Sequence, residues 1–175
     1  MLPKAGKRRF GIVGGLGALG GADIFFKLVK ATPSNGGRDL SDIVFEQHPF
    51  DEGVFPGAET SSTNARKLYV FDMIRSFEER KVDAVMLPCF ISHTFLDELK
   101  PEIRLPVVNI MEALRFHLER RYPQATKVGV LTSDYVRKHR LFERYLDPKR
   151  WQLVYPRQEV QRDCLMPAIY GEQGI

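Results

Sequence analysis

Two stretches of this sequence hold residues whose type and spacing suit chemistry, and the first is built around a thiol. Cys89 stands immediately after the apolar run Val82–Pro88 and just before a segment of helical character. A thiol between a strand end and a helix start feels the positive end of the helix dipole, which favours the thiolate, the form that takes a proton or attacks carbon. The competing reading is an inert core cysteine, a common fate for a lone thiol. Ser92 and His93 lie one turn further on, and His93 is spaced to supply or accept a proton, or else to hydrogen-bond the helix end. The other cysteine, Cys164, sits in a helical run beside Leu165 and Met166 and reads as packing. No pair of cysteines or histidines has metal-ligand spacing, so no metal site is expected.

The second stretch is Gly14-Gly15-Leu16-Gly17-Ala18-Leu19-Gly20-Gly21. Backbone N–H groups presented there at a helix N-terminus would suit a carboxylate or phosphate. A tight strand-to-helix turn that needs glycine only for sterics explains the same run. Gly15, Gly17 and Gly20 also fit the dinucleotide fingerprint G-x-G-x-x-G, which wants an acidic residue about 20 positions on to hold a ribose. Glu46 is the one candidate for that acid.

These residues need elements to position them. Arg9–Val13 predicts a first strand, and Ile24, Phe25, Leu28 and Val29 have helical spacing up to the stop at Pro33 and Asn35-Gly36-Gly37. Asp42–Gln47 predicts a second strand, and His48–Asn64 a long loop of the kind that usually carries function. Ala65–Arg80 predicts a helix with Leu68, Phe71, Ile74 and Phe77 inward, and Val82–Pro88 a buried parallel strand. Thr94-Phe95-Leu96-Asp97 has the form of a capping box. Pro106–Ile110, Lys127–Leu131 and Trp151–Tyr155 predict further strands, alternating with helices over Met111–Arg121, Tyr135–Leu146 and Gln158–Tyr170. This alternation predicts an α/β fold, a parallel sheet flanked by helices, with ligands outside the carboxyl ends of the strands.

Composition sets bounds on the rest. The 175 residues are 43% hydrophobic and 27% charged, enough for a core without a staple. A disulfide between the two cysteines is not expected, and the cytoplasm is the default location. No apolar run reaches the roughly 18 residues of a membrane span. Lys7-Arg8-Arg9 before Phe10-Gly11-Ile12-Val13 imitates an export signal, but its apolar part is rich in glycine and flows into an amphipathic helix. The net charge of +4 includes the cluster Arg137, Lys138, His139, Arg140 and Arg144. Leu141, Phe142, Tyr145 and Leu146 share that segment, so it reads as the solvated face of an amphipathic helix, and no nucleic-acid partner is expected.

With Gly11-Ile12-Val13-Gly14-Gly15-Leu16-Gly17, Met86-Leu87-Pro88-Cys89, His93 through Leu99, Val128-Gly129-Val130-Leu131-Thr132 and Ala168-Ile169-Tyr170-Gly171 in place, the chain resembles the cofactor-independent aspartate/glutamate (Asp/Glu/hydantoin) racemase superfamily, aspartate racemases in particular. The resemblance implies a two-lobed α/β enzyme that inverts an amino acid without pyridoxal phosphate or any other cofactor. One cysteine from each lobe works on opposite faces of the substrate, one taking the α-proton and the other returning one. Cys89 matches the first-lobe cysteine, and position assigns Gly15, Leu16, Asn64, Ser92, His93 and Thr132 to the substrate.

Two departures follow from the same comparison. Phe90 and Ile91 occupy the positions where the family has Asn-Thr to hold the substrate carboxylate. The family's second cysteine sits in a later Gly-Cys-Thr strand end, which this sequence does not reach before Gly174-Ile175, and Cys164 does not match it. The expected organisation is a first lobe over 1–122 and an incomplete second lobe over 123–175, whose apolar helix faces would invite a homodimer. The expected function is racemisation of aspartate, glutamate or a related carboxylate, with Cys89 as acid/base. The alternatives are a catalytically inactive carboxylate-binding module of the same fold and an NAD(P)-dependent oxidoreductase.

Overall fold

The computed structural model describes residues 8–14, 17–32, 42–48 and 59–171, with side chains described from Thr63 onward in the last segment. The chain divides into two compact units, Met1–Val108 and Asn109–Ile175.

The first unit is a parallel sheet of β1 (Arg9–Val13), β2 (Asp42–Glu46), β3 (Ala84–Met86) and β4 (Val107–Val108), in the order β2-β1-β3-β4. Register runs Val13 opposite Glu46 and Ile12 opposite Met86, so the carboxyl ends of β1, β2 and β3 lie side by side. Helix α1 (Ala18–Ala31) packs on one face, where Gly21 lies under Phe45, and Phe25 and Phe45 bring their ring centroids to 5.8 Å. Helix α2 (Glu59–Glu79) packs on β1, with Phe77 over Gly11. A Cβ at Gly11 would stand 3.0 Å from the Phe77 ring, so glycine is what lets helix and strand approach this closely.

The buried stripe of α2 is Val70, Met73, Ile74 and Phe77, joined by Val13 and Val85 from the sheet, by Val82 and Leu87 flanking β3, and by Phe95, Leu96, Leu99 and Leu105. Leu68, expected inward, is 63% exposed. It lies two residues before Val70, about 200° around the helix and so on the far side. On α1, Leu19 and Phe26 are exposed, and in the second unit Phe116 is exposed as well. The expected loop His48–Asn64 ends sooner than predicted, because Glu59–Asn64 are already helical; residues 49–58 lie outside the described set.

The carboxyl end of β3 leads into two short helices, α3 (Phe90–Thr94) and α4 (Leu96–Leu99). The predicted capping box does not form. The Thr94 hydroxyl donates back to the Ile91 carbonyl at 2.7 Å, Asp97 pairs with Lys100, and Phe95 stands at the N-cap of α4 without a side-chain bond.

The second unit holds α5 (Ile110–Arg121), a parallel pair β5 (Lys127–Gly129) and β6 (Gln152–Val154), and the helices α6 (Asp134–Lys138), α7 (Leu141–Tyr145), α8 (Gln158–Val160) and α9 (Met166–Tyr170). The expected boundary after residue 122 moves to Val108, because α5 packs with α7 and Asn109, which caps α5 through the N–H groups of Met111 and Glu112, also donates to the Tyr145 hydroxyl at 3.1 Å. The single helix expected over Tyr135–Leu146 is broken at Arg140, which adopts a left-handed conformation with φ 51°. In one straight helix Val136 and Leu141 would point about 140° apart. The break lets both be buried. Cys164 was expected in packing and is instead exposed, within a π-helical turn over Gln161–Leu165.

Candidate functional site

In an open parallel sheet, ligands bind beyond the carboxyl ends of the strands, where successive connections leave in opposite directions. Here β1 connects outward to β2, and β3 lies on the other side of β1, so the switch point falls between β1 and β3. The two features that carry chemistry in the sequence sit there. Gly14 follows β1, and Cys89 follows β3 as the N-cap of α3, in extended conformation and partly exposed. Helix α3 is a little over one turn long, so any favourable field on the thiol comes from a few N–H groups rather than from a long helix.

Around Cys89 the chain alternates between surface and interior. Phe90 is 37% exposed, while Ile91 packs against the hydrophobic cluster. Ser92 and His93, expected at the substrate, are both buried. The His93 ring lies 3.1 Å through Nε2 from the Leu87 carbonyl, tying α3 back to the strand that precedes Cys89. Burial lowers its pKa below the ordinary 6.5, against a smaller opposing effect of the Leu87 bond. Asn64 is exposed on α2. Gly15 and Leu16 lie outside the described residues, while Gly17 just beyond them has φ 130°, a conformation glycine alone adopts without strain. Thr132 is buried in the second unit beyond β5, where its carbonyl accepts from Gln161 Nε2 at 2.9 Å; Ser133 beside it caps α6 through the Val136 N–H.

A group of residues at the end of β2 went largely unread in the sequence. Glu46 Oε1 lies 2.7 Å from His48 Nε2, and Glu46 Oε2 lies 2.8 Å from Arg80. The Tyr69 hydroxyl reaches from α2 to both the Gly14 carbonyl, at 3.0 Å, and the His48 carbonyl, at 3.1 Å. Gly14 N–H donates to the Glu46 carbonyl at 2.8 Å. Two strand ends are thus stitched together beside the glycine run. The signal available was the spacing: Glu46 and His48 are two residues apart on extended chain, which puts both side chains on one face.

Among the described residues no group of three or more His, Cys, Asp and Glu is placed to hold a metal ion, and no helix is long and apolar enough to cross a membrane. Both cysteines are free thiols.

The fold has known counterparts. The chain is similar to an aspartate racemase homologue from Pyrococcus horikoshii, with a TM-score of 0.73 at 16% identity, over 94% of this chain and 70% of that one. It is similar to an aspartate racemase from Picrophilus torridus, with a TM-score of 0.72 at 19% identity, over 95% and 76%. A glutamate racemase from Thermus thermophilus matches with a TM-score of 0.53 at 20% identity, over 85% and 50%. At these identities the likeness speaks for the fold. The sequence itself matches the Asp/Glu/hydantoin racemase family over residues 13–167, from the last residue of β1 to the second residue of α9, and this chain is a member of that family.

Proposed function

We propose that this chain is a cofactor-independent racemase acting on aspartate, glutamate or a related carboxylate, with the Cys89 thiol as acid/base. The observation that carries the reading is the place of Cys89, partly exposed at the carboxyl end of β3, next to β1 and its glycine run at the switch point of the sheet. Removing a proton beside a carboxylate is costly, and a thiol at such a strand end is well placed to take it. A free thiol suits a cytoplasmic enzyme, and the exposed Leu19 and Phe26 of α1 suit self-association as a homodimer.

A second reading, a carboxylate-binding module without chemistry, draws support from Phe90 and Ile91. Both are apolar, and Ile91 is spent on core packing rather than on a ligand. The oxidoreductase reading loses its support, since the Glu46 carboxylate it needs for a ribose is engaged by Arg80 and His48.

The test is α-proton exchange in deuterated water with L- and D-aspartate and L- and D-glutamate, following both label and chirality. Label uptake that vanishes in Cys89→Ala supports proton transfer at Cys89. No uptake with any of the four would sink acidic amino-acid racemisation and leave the binding module in front.

A further inference from the structure

We propose that Gln161 is a positioning residue for Thr132, holding the end of β5 in the form that meets the substrate; the inference rests on the racemase reading above. Both residues belong to the second unit. Register there pairs Gly129 with Val154, and the Val130 N–H continues the ladder to the Val154 carbonyl at 2.9 Å. Thr132 lies just past β5, and Gln161 follows α8, which comes after β6. The two therefore stand beyond the carboxyl ends of a parallel pair, where ligands of such sheets bind.

Gln161 is an unusual residue to bury. Across α8, the π-helical turn and α9 it is the one buried residue. A helical segment on a protein surface normally buries an apolar stripe. Here Val160 is half exposed, Cys164 is exposed, and Arg162 and Asp163 pair with each other on the surface. Gln161 is 4% exposed, and its Nε2 donates to the Thr132 carbonyl at 2.9 Å. Its Oε1 is buried with no hydrogen-bond partner among the described residues. A leucine would fill similar space without an orphaned acceptor, and a buried acceptor left unpaired is a cost that native folds seldom carry. What the amide supplies is the hold on Thr132.

The backbone on both sides is set for that hold. The Gln161 N–H donates to the Arg157 carbonyl at 2.8 Å, and the Gln161 carbonyl accepts from the Met166 N–H, which closes a π-turn. Turns of this kind are rare and recur at functional sites. Ser133, next to Thr132, caps α6 through the Val136 N–H, so the backbone of the two residues is fixed by α6 as well as by Gln161. Thr132 itself is 5% exposed, and its carbonyl is taken by Gln161. Among the described residues its hydroxyl makes no hydrogen bond, which leaves it to donate to a carboxylate oxygen of the substrate.

The experiment follows label uptake in deuterated water from both enantiomers of aspartate and glutamate, with KM and kcat measured separately, for wild type, Gln161→Met, Thr132→Val and the double variant. Methionine keeps the unbranched shape of glutamine and removes both amide groups. Gln161→Met is expected to raise KM about ten-fold, the range of one lost hydrogen bond to substrate, at a urea midpoint close to wild type. Thr132→Val should raise KM to a similar extent, and the double variant no further, because both changes remove the same contact. Gln161→Glu keeps the size and sets a carboxylate against the Thr132 carbonyl; it should raise KM in the same direction, and it carries the test if Gln161→Met does not fold. A Gln161→Met protein that loses stability yet keeps the wild-type KM and kcat overturns the proposal, since Gln161 is then a tie of the fold alone. So does a rise in KM that multiplies with that of Thr132→Val. A wild type that takes up no label from any of the four overturns the racemase reading, on which this role depends.

Discussion

Replacing Tyr69 by Phe removes one hydroxyl and tests whether the two strand ends are held together for function. The hydroxyl donates a single proton shared between the Gly14 and His48 carbonyls, at 3.0 and 3.1 Å. Burial raises its pKa; the His48 bond opposes that, and the nearby Glu46 charge adds to the rise, so the donor stays protonated across the neutral range. Losing one such bond costs about 0.5–1.5 kcal/mol. For a chain of this size that is a fall of roughly 2–4 °C in Tm per kcal/mol. Hydrogen exchange should show weaker protection of the Gly14 N–H, which donates to the Glu46 carbonyl. Misplacing the end of β1, beside which Cys89 is proposed to act, costs more than the bond itself, up to about 100-fold per Å, so inversion should fall about ten-fold or more. Thr32→Val is the matched control, because the Thr32 hydroxyl donates to the Leu28 carbonyl at 2.7 Å at the far end of α1. It should lose similar stability and keep its rate. Equal rate losses in Tyr69→Phe and Thr32→Val would show that rate merely follows stability and would refute the tether.

Three further sets of substitutions address the fold and the site. Gly11→Ala drives a methyl into the Phe77 ring and should cost about 1–3 kcal/mol by urea unfolding; Phe77→Leu in the same chain should recover part of it, and strict additivity would contradict the packing described. Because burial lowers the His93 pKa, the unfolded chain binds a proton first as pH falls below 6.5, so stability should drop from there downward. His93→Gln should flatten that slope, and a slope unchanged in the variant would assign it to other groups. Phe90→Asn should raise label uptake from aspartate relative to wild type, whereas adding Ile91→Thr should cost roughly 1–3 kcal/mol of stability, since Ile91 packs in the core; an unchanged uptake in Phe90→Asn would remove that position from substrate recognition.

Much of the first unit was legible because its signals are local. β1 was read to the residue, since a short apolar run ending in glycines has few other meanings. The strand before Cys89 and the helical character behind it were read from the same kind of punctuation. The misreadings share a cause: each depended on a partner distant in sequence. Leu68 looked as apolar as Val70, and only the sheet decides which side of α2 is buried. Thr94 had the right neighbours for a cap, yet α3 had already begun at Phe90 and turned its hydroxyl inward. Arg140 breaks a helix that its own residues would support, because Val136 and Leu141 must reach the same interior. The Glu46–His48 pair was half visible, but Tyr69 lies 21 residues beyond His48, and nothing local announces that its hydroxyl closes on two strand ends.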